Sequence, residues 1–132
     1  MAVSKLRDHR ILIVEDEYMV AMSLCHALES VGAVIIRAAP SVEKAVKTIE
    51  SAPNIDAAIL DINLDGVMAY EVADQLLSQN IPFVFSSGYE TDVLRARYPQ
   101  IRNCQKPCAF PQLEEALARS IAERLPQPRT SE

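Results

Sequence analysis

Five short apolar runs alternate along the chain with stretches whose apolar residues recur at helical spacing. The runs fall at about residues 10–14, 33–37, 56–60, 82–86 and 101–104. The first and third, Ile11-Leu-Ile-Val14 and Ala57-Ala-Ile-Leu60, are apolar without interruption, the pattern of strands buried on both faces. Between the runs, Val20, Leu24, Ala27, Leu28 and Val31 share one helix face, as do Val42, Ala45, Val46 and Ile49. Val72, Ala73, Leu76 and Leu77 form a third face, and Leu113, Ala116, Leu117, Ile121 and Leu125 a last one. Residues 91–98 predict another helix, short and weakly patterned. Punctuation agrees with this reading. Gly32 follows the first helix, Ser41 is placed to cap the second with Lys44 where a capping box would carry an acid, and Pro53 stops the second.

Five β/α units predict an α/β fold. Right-handed crossovers lead to a doubly wound five-stranded parallel sheet of order 2-1-3-4-5 with helices on both faces, flavodoxin-like, in which the first and third strands are central neighbours. One domain is expected over residues 1–125, followed by a flexible, proline-rich polar tail at 126–132.

Composition narrows the function classes. With 132 residues, 49% hydrophobic and 23% charged, the chain suits one globular domain with a core. A net charge of −5 argues against direct nucleic-acid binding. No apolar run approaches the roughly 18 residues of a membrane span. The basic first ten residues lead into no signal-peptide core, so a cytoplasmic protein without membrane insertion is expected. The three cysteines, Cys25, Cys104 and Cys108, are an odd number and read as free thiols in a reducing compartment. Cys104 and Cys108 flank Lys106-Pro107 and lack a second pair at zinc spacing.

The chemistry gathers where strands run out. Glu15 and Asp16 follow the first strand, Asp61 the third, Ser87-Gly88 the fourth and Lys106-Pro107 the fifth. In an open parallel sheet these C-terminal ends share one crevice. Carboxylates crowded there repel by roughly 4 kcal/mol per pair at 4 Å and an effective dielectric of 20. A hard divalent cation with oxygen ligands offsets that repulsion, and a lysine ammonium assists. Each feature also has a plainer reading: helix N-terminal acids for Glu15-Asp16-Glu17, a turn for Asp65-Gly66, a cap for Ser87, a solvated charge for Lys106. Their convergence on one edge of one sheet favours a site.

With these motifs in order, the chain resembles the receiver domain of bacterial two-component response regulators, of the stand-alone type, over residues 8–125. The resemblance rests on Val14-Glu15-Asp16, Leu60-Asp61, Ser87-Gly88, Lys106-Pro107 and the β/α alternation. It implies that Asp61 accepts a phosphoryl group from a sensor histidine kinase or a histidine phosphotransfer protein. It implies a Mg²⁺ ion, with Mn²⁺ as a substitute, held by Asp16, Asp61 and the backbone carbonyl of Asn63, and by Glu15 through water. Ser87 and Gly88 would meet the phosphoryl group and Lys106 would pair with it. Catalysis would be limited to self-phosphorylation and self-dephosphorylation, with output by relay or by binding a downstream protein. Three positions depart from the family pattern. Glu15 replaces an aspartate, Asp65-Gly66 replaces a proline, and Asn103 stands where an aromatic switch residue is usual. Phe85-Ser-Ser-Gly-Tyr89 is similar to a Phe-Ala-Thr-Gly-x-Tyr pattern of some single-domain receivers, which directs attention to Tyr89, Leu94 and Tyr98 as an output surface.

Rival readings remain at this point. A small phosphatase with Asp61 as nucleophile would need an acid two residues on, where Asn63 stands. A flavodoxin-like cofactor carrier would place phosphate against Glu15-Asp16-Glu17. A receiver fragment of a larger hybrid kinase or regulator is a third.

Overall fold

A computed structural model describes residues 3–88 and 91–124. The tail expected at 126–132 and the output position Tyr89 lie outside the described residues. The elements in chain order are β1 (Arg10–Val14), α1 (Tyr18–Ser30), β2 (Val34–Ala39), α2 (Val42–Ser51), β3 (Ala57–Leu60), β4 (Asn63–Leu64), β5 (Val67–Met68), α3 (Tyr70–Ser78), β6 (Phe83–Ser87), α4 (Thr91–Arg97), β7 (Asn103–Gln105) and α5 (Phe110–Ala122).

The main sheet has the order β2-β1-β3-β6-β7 and is parallel throughout. This is the expected winding, with the β4–β5 hairpin set outside it. Alternating strand residues feed two cores. Leu12, Val14, Leu60, Phe83 and Phe85 pack with residues of α2, α3 and α4, including Ile49, Val72, Leu76 and Leu94. Ile11, Ile13, Ile59 and Val84 pack on the other face with Leu28 of α1 and Leu113 and Leu117 of α5. Both faces of the central strands are therefore dry, which is why their sequences are continuously apolar.

Two helix termini show how the chain is punctuated. After α1 the Gly32 amide donates to the Glu29 carbonyl and the Ala33 amide to Leu28. Gly32 adopts φ 91°, the left-handed conformation that this C-terminal motif requires. At the start of α2 the Ser41 hydroxyl accepts the Lys44 amide at 3.3 Å, completing the cap without the acid of a capping box.

Two expectations are corrected. Cys104 and Cys108 are not free thiols but form a disulfide, because the turn through Lys106-Pro107 brings their Cα atoms to 5.9 Å, within bonding range; Cys25 remains free. Leu94 and Tyr98 are not surface: they are 1% and 4% exposed, one helical turn apart, inserted into the core beside Phe85. The Tyr98 hydroxyl donates to Asp74 at 2.8 Å, and burial followed by that acidic neighbour raises its pKa. Asp65-Gly66 is a turn, as its residue types suggest. With φ of 53° and 90° the two residues close a two-residue hairpin between β4 and β5, of the kind Asp-Gly favours. No helix among the described residues is long and apolar enough to cross a membrane.

Candidate functional site

Register brings the polar residues together. Val14 pairs with Leu60, so Glu15 and Asp61 leave adjacent strands at the same level. The Asp61 amide donates to the Val14 carbonyl at 2.9 Å, and the Glu15 amide to Ala39 at 3.0 Å. On the other side Ser87 pairs with Gln105, and the Lys106 amide donates to the Ser87 carbonyl at 2.6 Å. Lys106 therefore begins one residue beyond the last rung of the sheet and reaches back across it.

Carboxylate oxygens of Glu15, Asp16 and Asp61 all lie within 4.8 Å of one another. The Lys106 ammonium bridges two of them, with Nζ 2.9 Å from Glu15 Oε1 and 3.0 Å from Asp61 Oδ2. The remaining oxygens are held by backbone. Glu15 Oε2 accepts the Glu17 amide at 3.1 Å, and Asp61 Oδ1 accepts the Asn63 amide at 3.0 Å. Glu15 and Asp61 are buried, at 3% and 6% exposure, while the Lys106 side chain keeps 26%.

The protonation equilibria follow from this crowding. Burial pushes the Glu15 carboxyl above its ordinary value, and the Asp61 charge adds to that. The hydrogen bonds from Lys106 and the Glu17 amide oppose the rise without cancelling it. For Lys106 burial works downward, but the hydrogen bonds and charges of Glu15 and Asp61 outweigh it and hold the ammonium above its usual value. Three carboxylates against one ammonium suit a hard divalent cation with oxygen ligands, so the donor set fits Mg²⁺.

The remaining expected residues are placed differently. Asn63 opens the hairpin, and its side-chain Oδ1 accepts the Gly66 amide at 2.7 Å, which fixes the turn beside Asp61. Ser87 is fully buried at the end of β6. Its hydroxyl donates to Asn103 Oδ1 at 2.9 Å, and Asn103 Nδ2 donates in turn to Thr91 Oγ1 at 3.2 Å. The Gly88 carbonyl accepts from Gln105 Nε2 at 3.2 Å. The sequence located Ser87 but neither its partner Asn103 nor Thr91, the partner of Asn103. Asn103 stood out only for not being aromatic, and Thr91 carried no signal.

A profile of the response regulator receiver domain family matches residues 11–118. Among solved structures, SdrG from Sphingomonas melonis Fr1 is 35% identical, covers 92% of this chain and 99% of its own, and has a TM-score of 0.75. A response regulator receiver protein from Sinorhizobium medicae WSM419 superposes with a TM-score of 0.81 at 23% identity, covering 91% of this chain and 99% of its own. The receiver domain of PhyR from Erythrobacter litoralis gives 0.80 at 20% identity, covering 94% and 98%. At their lower identities these last two speak for the fold. No curated protein sequence matches the chain.

Proposed function

Since the chain belongs to the response regulator receiver domain family, we propose that it is a phosphorylatable signalling module that accepts a phosphoryl group on Asp61. The observation that carries this reading is the Lys106 ammonium seated between the buried carboxylates of Glu15 and Asp61. Asp61 Oδ2 presents a nucleophilic oxygen to the crevice, and its Oδ1 is steadied by the Asn63 amide. In the transfer, a phosphorus–nitrogen bond of a phosphohistidine breaks as a phosphorus–oxygen bond to Asp61 forms. The donor is a sensor histidine kinase or a histidine phosphotransfer protein.

Phosphoryl transfer asks the protein chiefly for positioning and for charge neutralisation over the phosphoryl oxygens. Lys106 supplies a point charge on one side of Asp61. Ser87, buried as the last residue of β6, would supply a hydroxyl. Mg²⁺ held by Glu15, Asp16, Asp61 and the Asn63 carbonyl would neutralise the oxygens on the other side, and Mn²⁺ shares the same donor preference. Asn63 at the position where a phosphatase would need its acid argues against turnover of phosphomonoesters.

The test is intact-mass analysis after incubation with acetyl phosphate and Mg²⁺. One acid-labile phosphoryl adduct is expected on the wild type and none on Asp61→Asn, which keeps the shape and removes the nucleophile. An Asn variant that labels like the wild type refutes the assignment.

A further inference from the structure

Resting on that reading of Asp61, we propose that Asn103 is the switch residue of this chain. It is the centre of a hydroxyl–amide–hydroxyl relay from Ser87 to Thr91 whose hydrogen-bond polarity reverses on phosphorylation.

The relay has a direction. The Ser87 hydroxyl donates to Asn103 Oδ1, and Asn103 Nδ2 donates to Thr91 Oγ1. Ser87 is fully buried, and a serine hydroxyl has a single proton to give. A phosphoryl group on the neighbouring strand end offers acceptor oxygens. For Ser87 to serve one of them, its proton must leave Asn103.

The backbones on either side are fixed. Ser87 is the last residue of β6, its carbonyl accepting the Lys106 amide, and Asn103 is paired with Phe85 across the sheet. The adjustment therefore falls on side chains. If Asn103 stayed as it is, Oδ1 would lose its donor at a partly buried position, which carries a cost. Turning the amide over avoids this. Nδ2 then donates to Ser87 Oγ, whose proton goes to the phosphoryl oxygen. Oδ1 meets Thr91, whose hydroxyl changes from acceptor to donor. Every group keeps a partner, and the only net change is the direction in which the chain of bonds runs.

Thr91 is the first residue of α4, so the reversal is delivered to that helix. The helix is seven residues long and is tied down by Leu94, Tyr98 and the Arg97 guanidinium lying 3.9 Å from the centre of the Tyr70 ring. Its exposed residues, Val93 and Arg95 among them, are those a partner can touch. An amide thus performs, by turning over in place, the task for which an aromatic side chain would need a new rotamer.

The experiment uses the full chain, with beryllofluoride and Mg²⁺ as phosphoryl mimic and acetyl phosphate for labelling. In the wild type the Asn103 side-chain NH₂ resonances should shift on adding beryllofluoride, and amide exchange across residues 91–97 should change by about threefold or more. Thr91→Val, half-exposed and nearly isosteric, should take the acetyl-phosphate adduct yet lose the exchange response; Asn103→Leu should do the same and carries the test if the valine variant misfolds. Variants that respond like the wild type, or unmoved Asn103 resonances in a labelled wild type, overturn the relay and leave Asp61 as acceptor. A wild type that takes no adduct overturns the acceptor reading and the relay with it.

Discussion

Replacing Glu15 by glutamine removes one charge from the buried cluster while keeping its shape and its acceptor oxygen for Lys106. The metal-free protein should become more stable. At the separation limit of 4.8 Å each repulsion, with Asp16 and with Asp61, is worth about 3.5 kcal/mol at an effective dielectric of 20. The attraction to Lys106 at 2.9 Å is about 6 kcal/mol on the same scale. One attraction and two repulsions nearly cancel, so burial of the carboxylate decides the sign, in keeping with the raised proton affinity of Glu15. The burial penalty goes with the charge, so Glu15→Gln should be the more stable protein where Glu15 is ionised. The pH dependence has a definite direction. A carboxyl that binds its proton more tightly folded than unfolded makes stability fall as pH rises from its ordinary value of 4.5 through its folded value. Urea unfolding in EDTA should therefore give coincident stabilities for variant and wild type near pH 4, separating in the variant's favour by about pH 8. Millimolar Mg²⁺ should narrow or reverse the gap, because only the wild type keeps all three ligands. A variant less stable than the wild type at pH 8 without metal would refute the reasoning.

Lys106→Ala should retain the fold but leave Glu15 and Asp61 without their cation, at a cost of about 1–3 kcal/mol, below that of a fully buried pair because the lysine is partly exposed. That deficit should shrink as pH falls and Glu15 takes up a proton, which denaturation at two pH values measures. Leu94→Ala should cost about 2–5 kcal/mol by the same assay, as expected of a core residue and not of a docking surface.

The sequence carried the main sheet well for a physical reason. Strands buried on both faces, such as Ile11–Val14 and Ala57–Leu60, cannot be anything but apolar, and the charges that stop them stand out. Glu15 and Asp61 were legible for the same reason, each being the first polar residue past a dry strand, and Lys106 by its Lys-Pro step after the fifth run. What escaped depends on contacts between distant residues. Ser87, Asn103 and Thr91 form one chain of hydrogen bonds, but no local pattern marks an asparagine as a partner and not a surface residue. Leu94 and Tyr98 looked sparse in a weak helix because two buried positions one turn apart suffice for so short an element. The pairing of Cys104 with Cys108 needed the turn between them, which composition does not reveal.

The dryness of the central strands leaves them a problem that the site solves. Where both faces are apolar, alternation cannot tell one strand alignment from another, so sliding β3 along β1 by one residue would exchange the two cores at modest hydrophobic penalty. Polar residues at the ends forbid it. At the lower end the Arg10 amide is held by Asp56 at 2.8 Å, and at the upper end a slip would draw Asp61 into the ladder or push Leu60 out of it. An unpaired carboxylate among aliphatic side chains is costly enough to exclude that arrangement. The residues proposed to handle phosphate are thus also the stops that define the strand alignment. Apolar substitution at Asp61 would remove chemistry and alignment marker together, licensing misaligned, aggregation-prone sheets that a change to asparagine would not.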